Sequence, residues 1–277
     1  MGVNNNSSNN NFEGKTAVVT GGTGILAGEI AAALAEGGAN VAIIDIKPEI
    51  PISLADRFKA ASGAVEVFIA SVLDRNNLDK AADQILSRFK QVDILINGAG
   101  GNHPKATTNA DQSFFDIPAE AFRFVTDLNL LGTVLPCQVF GKIFAAAGSG
   151  IILNISSMNA LRPLTRIPAY SAAKAAVSNF TQWLAVHMAQ EYSPNILVNA
   201  IAPGFFLTDQ NRFLLTEKDT GELTARGRQI IAHTPQGRFG NPEDLVGAAI
   251  WLTSDAAKFV TGIVVPVDGG FSAFSGV

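Results

Sequence analysis

A chain of 277 residues, 47% of them hydrophobic, can bury one large core, and one domain is the simplest arrangement of it. Its formal net charge of −4, with no cluster of Lys and Arg, excludes a nucleic-acid surface, which needs concentrated basic side chains against phosphate. The single cysteine, Cys137, has no partner for an internal disulfide and sits in an apolar stretch, where it reads as a small core residue.

Met1 to Asn11 is rich in Asn and Ser, lacks the basic-then-apolar order of a targeting segment, and is expected to be a disordered tail. No apolar run is long enough to cross a bilayer, so a cytoplasmic location with no membrane partner is expected. From Lys15 onward, short β-branched runs alternate with longer amphipathic segments, the pattern of a parallel sheet with helices on both faces. Strands are predicted at Thr16-Thr20, Val41-Asp45, Val65-Ile69, Ile94-Asn97, Ile151-Ile155, Leu197-Ala200 and Ile263-Val267. Each is nearly continuously apolar, as strands buried on both faces are. Seven strands fit one doubly wound Rossmann sheet. No linker, repeat or charge block divides residues 12–277, and a single α/β domain is expected. Residues 205–235 break the strand–helix rhythm with a polar, charged stretch that has the length of a substrate lid. No metal site is assigned.

The first predicted strand runs directly into Thr20-Gly21-Gly22-Thr23-Gly24-Ile25-Leu26-Ala27-Gly28 and then an alanine-rich helix. Glycines let a backbone approach a pyrophosphate closely, and a helix N-terminus offers unpaired N–H groups with partial positive charge. Gly22-x-Gly24-x-x-Ala27 satisfies the loose dinucleotide fingerprint. Asp45 closes the second strand 21 residues after Gly24, where a carboxylate can accept from a ribose 2′-hydroxyl and repel a 2′-phosphate. That favours NAD(H) over NADP(H). Lys47, two residues on, could instead pair with a 2′-phosphate.

In Pro168-Ala169-Tyr170-Ser171-Ala172-Ala173-Lys174 the four-residue spacing within a helix-favouring stretch puts phenol and ammonium one turn apart on one face. A free tyrosine, with a pKa of about 10, exchanges protons poorly at neutral pH, whereas a fixed cation beside it favours the phenolate. The pair therefore reads as a proton-transfer device for an alcohol or carbonyl oxygen.

Together with Asn97-Gly98-Ala99-Gly100, Asn129 in Leu128-Asn129-Leu130-Leu131-Gly132, Ser156-Ser157, Pro203-Gly204 and Val267-Asp268-Gly269-Gly270, these motifs resemble the short-chain dehydrogenase/reductase family from Phe12 onward. Ser157, 13 residues before Tyr170, stands at that family's usual interval and is taken over Ser156 as the active serine. The resemblance implies a catalytic set of Asn129, Ser157, Tyr170 and Lys174. Tyr170 would be the general acid of carbonyl reduction and Ser157 would orient the reacting oxygen. Lys174 would lower the tyrosine pKa and hold the nicotinamide ribose, with Asn129 placing a relay water. It further implies a dinucleotide lined by Gly21, Gly22, Thr23, Gly24, Ile25 and Leu26 at the phosphates and by Asp45, Ile46, Ser71 and Val72 around the adenosine. Asn97, Gly98 and Ala99 would follow, with Tyr170, Lys174, Pro203, Gly204, Phe206 and Thr208 at the nicotinamide. Two departures stand out: Ile25 and Ala27 replace a common Gly-x-Gly, and Ser71 replaces an acid that commonly contacts adenine.

The residues expected around the reacting carbon are polar. Asn102-His103-Pro104 follows the fourth strand, Asn159 and Arg162 follow the serine, Arg166 precedes the tyrosine, and Gln210, Asn211 and Arg212 open the presumed lid. Arginine suits a carboxylate bidentately, while Asn, Gln and His suit hydroxyls. His103, Ser157, Asn159, Arg162, Arg166, Asn211 and Arg212 are therefore the expected substrate residues, and a polyhydroxy acid fits them. Gly100-Gly101-Asn102-His103-Pro104, Ser157-Met158-Asn159-Ala160 and the run from Gly269 to Val277 are similar to the D-mannonate oxidoreductases of this family, or fructuronate reductases, which implies the D-fructuronate/D-mannonate pair. Gluconate, polyol and 3-oxoacyl reductases share the catalytic set and stay open, as does a nucleotide-sensing protein without chemistry. The resemblance also implies a homotetramer that covers the helices around Phe122-Phe144 and Tyr170-Tyr192.

Overall fold

β1 (Thr16–Thr20), β2 (Asn40–Asp45), β3 (Val65–Ile69), β4 (Ile94–Asn97), β5 (Gly150–Ile155), β6 (Ile196–Pro203) and β7 (Val264–Val267) form one parallel sheet in the order β3-β2-β1-β4-β5-β6-β7. The structure is a computed structural model that describes residues 12–208, 212–217 and 220–276; the tail expected at residues 1–11 lies outside them. Alternate side chains of each strand serve opposite faces. Ala17 and Val19 join a core with Ile30 and Leu34 of α1 (Ile25–Glu36) and Ile250 of α9 (Val246–Thr253). Val18, between them, joins the other core with Leu78 and Ile85 of α3 (Arg75–Phe89), Phe140 and Phe144 of α5 (Gly132–Ala147), and Leu184 of α6 (Pro168–Glu191). The expected doubly wound Rossmann sheet is thus the observed one.

Two expectations need correction. Burial on both faces holds for β1, β4 and β6 but not for β3 and β7, which are edge strands with one neighbour each. On β3, Glu66 is exposed and pairs with Arg88 at 2.9 Å. On β7, Pro266 lacks an N–H, which an outer edge tolerates. In addition, the helical run Ala119–Ala147 is long and apolar enough, by length and composition, to cross a membrane, contrary to the expectation of no such run. In this fold Val125, Cys137, Phe140 and Phe144 of that run are buried.

The sheet order places β1 beside β4, so the chain leaves their carboxyl ends in opposite directions and opens a crevice there. β6 runs to Pro203, beyond its predicted end, because Ala202 and Pro203 pair with Pro266 and Val267. α2 (Ile52–Ala60) packs on α1, where Arg57 binds both Glu29 and Glu36. The excursion after β6 contains α7 (Arg212–Leu215) and α8 (Ala225–Ala232), joined by a bridge between Thr216 and Leu223.

Candidate active site

The crevice floor is built for close backbone approach. Gly21 has φ +66°, and a Cβ there would lie 2.8 Å from the Ala99 backbone. Gly24 caps α1 without a side chain that bonds the first turn, so no cap takes the first-turn N–H groups that a pyrophosphate requires. Thr20 ties the two turns together, its Oγ1 accepting from Gly98 N (3.2 Å) and Ala99 N (3.3 Å). Asn97 donates from Nδ2 to the Asn154 side chain (2.8 Å), within the buried floor. At the end of β2, Asp45 accepts from Thr23 Oγ1 (2.6 Å) and Ile46 N (2.8 Å), which fixes its carboxylate beside the glycine turn. Ile46 is exposed, Ser71 caps Leu73 N at 3.2 Å, and Val72 is buried. These features fit a dinucleotide. The departure at Ala27 has a local reason: a Cβ at Gly98 would fall 2.5 Å from the Ala27 Cβ, so the methyl at 27 fills the space that glycine leaves at 98.

At the carboxyl end of β5 the two serines divide. Ser156 turns to α6, bonding the Lys174 carbonyl (3.2 Å) and Ser178 Oγ (2.7 Å), whereas Ser157 turns to Tyr170. Ser157 Oγ accepts two hydrogen bonds, both at 3.2 Å, from Asn159 N and Nδ2. With both lone pairs used, its proton is left to be donated outward. The Asn159 amide orientation follows from its Oδ1, which accepts from Leu164 N and Ser171 Oγ, each at 3.2 Å. Asn159, expected to read substrate hydroxyls, here uses its amide to bond Ser157 and to accept from Leu164 and Ser171. Lys174, 4% exposed, donates to the Ile155 carbonyl at 2.7 Å, and its Nζ lies 5.6 Å from the Tyr170 ring centre. Asn129 is fully buried in a π-helical turn, Asp127–Leu131, between α4 (Ala119–Thr126) and α5. Its Nδ2 donates to the Gly101 and Val125 carbonyls (2.7 and 2.8 Å), and its Oδ1 accepts from Gly101 N (3.2 Å). A Cβ at Gly100 would lie 2.7 Å from Asn129 Oδ1 and 3.4 Å from Lys174 Nζ, so glycine there keeps open the space between the two groups.

This assembly has close relatives. The family model described as enoyl-(acyl carrier protein) reductase matches residues 23–272. The uncharacterized oxidoreductase UxuB of Bacillus subtilis is 50% identical over 276 residues, covering 96% of this chain and 98% of its own length. The chain belongs to the short-chain dehydrogenase/reductase family. It is an oxidoreductase of that family. A crystal structure from Haemophilus influenzae, provisionally named a D-mannonate oxidoreductase and holding NAD, matches with a TM-score of 0.90 at 44% identity, covering 98% of this chain and 99% of its own. The 7α-hydroxysteroid dehydrogenase of Escherichia coli is 32% identical, covering 96% of this chain and 97% of its own length.

Elsewhere in this short-chain dehydrogenase/reductase, His103 stacks edge-on with Phe124 at 5.4 Å, and its Nδ1 accepts from Lys105 N at 3.1 Å. Arg162, Arg166 and Arg212 are exposed, and Asn211 and Gln210 lie outside the described residues. Gly204 is wedged against Asp268, where a Cβ would lie 2.6 Å from the aspartate Cβ. Phe206 is buried against Gly240, and the Thr208 carbonyl accepts from Arg212 N at 2.9 Å. A cavity of about 370 Å³ lies beyond Phe206, lined by Gln236, Arg238, Asp244 and Asp268, and includes none of Ser157, Tyr170 and Lys174. The sequence reading missed two residues that hold the site, Thr20 and Ser171, which were visible only as small polar residues beside motifs. On α8, burial and then repulsion from Arg166 draw the Arg226 guanidinium below its usual pKa.

The expected lowering of the Tyr170 pKa by Lys174 is not what this structure shows. Tyr170 packs against Ala106, Ala121, Val125 and Ala169, and that burial raises its phenol above the ordinary value, with the Ser157 hydrogen bond pulling down. Burial also lowers Lys174, to about 8. The unfolded lysine keeps its proton up to about pH 10.5, so between about pH 8 and 10.5 the unfolded state binds more protons and stability rises with pH. Lys174→Met removes this titration. Thermal unfolding of both proteins at about pH 7 and about pH 9.5 should show the wild type gaining on the variant at the higher pH; a constant difference would remove the buried-ammonium assignment.

Proposed function

We propose that this oxidoreductase uses a nicotinamide dinucleotide, NAD(H) in preference to NADP(H), to interconvert a ketone and a secondary alcohol on a sugar acid. D-fructuronate and D-mannonate are the favoured pair. The observation that carries the chemistry is the convergence of Ser157, Tyr170 and Lys174 at the mouth of the dinucleotide crevice. The nicotinamide supplies or accepts the hydride. Ser157, with both lone pairs taken by Asn159, donates its proton to the substrate oxygen and holds that oxygen near the tyrosine hydroxyl. Tyr170 gives its proton to the forming alkoxide in reduction and takes it back in oxidation. Lys174 holds the nicotinamide ribose and offsets the negative charge that develops on the phenol, while Asn129 orients a water between itself and Lys174 in the space beside Gly100. Pro203, Gly204, Phe206 and Thr208 wall the nicotinamide, and residues 205–235 act as the lid.

The substrate class rests on the polar rim. His103, with Nδ1 accepting, presents Nε2 as a donor to a hydroxyl, and Arg162, Arg166 and Arg212 are exposed to solvent. Such a rim suits an acid with several hydroxyls better than a steroid or acyl chain, which would want apolar walls. A nucleotide sensor would have no use for the assembled proton relay. A cytoplasmic homotetramer completes this reading. Support for the assembly comes from apolar residues left on the surface, notably Trp183, Val186 and Tyr192 on and just after α6 and Phe124 and Leu131 near α5.

Tyr170→Phe should reduce turnover by about two to four orders of magnitude while leaving dinucleotide binding largely intact, because the ring stays and the proton donor goes. Steady-state kinetics over uronates, aldonates, polyols and acyl ketones, with NADH and NADPH, test both role and substrate; near-wild-type activity in the variant defeats the role. Asp45→Ala should narrow the preference for NAD(H) in paired kinetic assays, and a wild type that favours NADPH would show Lys47 governing the site. Light scattering at micromolar protein should return an oligomer, and a monomer would overturn the assembly.

A further inference from the structure

We propose that Asn159 and Ser171 are positioning residues that fix the sense of the Ser157 hydroxyl, so that this serine can only donate to the reacting oxygen. The inference rests on the proton chemistry of Ser157 and Tyr170 proposed above and not on the identity of the substrate. It gives Asn159, expected to read substrate hydroxyls, a part in the chemical step instead.

Ser157, Asn159 and Ser171 are each more than nine-tenths buried, so their mutual hydrogen bonds face little competition from water. Past β5 the chain closes at once into a 3-10 turn, Met158–Ala160. Ala160 N donates to the Ser157 carbonyl at 2.9 Å and Arg162 N to the Met158 carbonyl at 2.8 Å, so the backbone holds this turn by itself. The turn carries both the backbone N–H and the side-chain amide of Asn159 to Ser157 Oγ, each at 3.2 Å.

The sense of the Asn159 amide is set by its other neighbours. A backbone N–H can only donate, so the atom that Leu164 N meets at 3.2 Å is the amide oxygen. Ser171 Oγ donates to that same oxygen at 3.2 Å. With Oδ1 answered twice, Nδ2 is the end that faces Ser157. Both groups that Asn159 turns toward the serine are therefore donors, and a hydroxyl with its two lone pairs filled has only its proton to offer. Ser171 also follows Tyr170 directly on α6, so this chain of bonds ties the serine at the strand end to the helix that carries the tyrosine. It does so without the contacts between Ser156 and Lys174. An oxygen that gains negative charge as the hydride arrives is stabilised by a donor already aimed at it, and losing one such donor costs about 100- to 1,000-fold in turnover. In oxidation the same serine cannot take the alcohol proton, which leaves Tyr170 as its acceptor.

The test is the isosteric Asn159→Asp substitution, with Asn159→Ala and Ser171→Ala beside it, assayed with NADH on D-fructuronate or, should another ketone of the panel above be reduced faster, on that ketone. An ionised carboxylate accepts from Ser157 and turns its proton away from the substrate. A neutral carboxyl restores the pattern of the amide, its carbonyl toward Leu164 and its O–H toward Ser157. At about pH 8, Asn159→Asp should lose about 100-fold in kcat while KM stays within about threefold of wild type. As pH falls from about 8 to about 5, the ratio of variant to wild-type kcat should rise about tenfold or more, because burial lifts a carboxyl above its usual value of about 3.9. Tyr170 and Lys174 titrate in both proteins, so their share divides out of that ratio. Ser171→Ala, which keeps the Leu164 anchor, should lose about three- to tenfold in kcat. If Asn159→Asp does not fold, as judged by dinucleotide binding, Asn159→Ala reads the same split between kcat and KM. A deficit in Asn159→Asp that is constant with pH, or a kcat near wild type, overturns the positioning role, and a loss carried by KM alone returns Asn159 to reading substrate hydroxyls. Near-wild-type activity in Tyr170→Phe overturns the proton chemistry and this role with it, whereas an inactive Tyr170→Phe beside an unimpaired Asn159→Asp overturns the role alone.

Discussion

The geometry of the candidate site depends on a reciprocal stitch between the end of β5 and the second turn of α6. From the strand, Ser156 reaches the Lys174 carbonyl; from the helix, the Lys174 ammonium reaches back to the Ile155 carbonyl at 2.7 Å. Each bond crosses the same junction in the opposite sense, so neither element can slide without breaking both. Ser157 follows Ser156 just past the strand and Tyr170 precedes Lys174 by one helical turn, so Ser157 and Tyr170 inherit their separation from this junction. A buried ammonium is an expensive fastener. Its placement here makes sense because the same atom serves the site.

Asn129 shows how local competition with the helix reshapes the chain at the candidate site. A side-chain amide that bonds the carbonyl four residues back competes with the backbone for that acceptor, and α4 passes into α5 through a π turn at that point. The wide turn aims the amide across to both backbone groups of Gly101, which pins the loop after β4 beside Lys174. An ordinary α-helical path would carry this residue past the site.

Much of this was legible in the sequence, and the rest was hidden for definable reasons. Strands β1 and β4 stood out because two-sided burial writes a continuous apolar run, but the same run in β3 and β7 gave no hint of how many neighbours the strand would have. The spacing of Tyr170 and Lys174 announced a helix face, yet their ionisation is governed by burial, which comes from Ala106, Val125 and Ala169 and cannot be read from spacing. Asn159 was marked by its place beside the serine, but its bonds to Ser157, Leu164 and Ser171 depend on where the chain folds back and could not be read from sequence.

The exchange of volume between Ala27 and Gly98 bears on how this crevice can change over time. The two positions share one space, so a side chain at 98 is barred while the methyl stays at 27, and a glycine at 27 would leave a small void while 98 remains bare. A glycine at 27 would clear only one of the two obstacles at 98, since a Cβ there would still lie 2.8 Å from the Thr20 carbonyl. The methyl at 27 can therefore be lost at the cost of a small void, whereas Gly98 is held bare by backbone that no exchange of side chains relieves. A lineage can drift toward the glycine-rich form at 27 while 98 stays fixed, so the two neighbours carry unequal mutational freedom although they share one space.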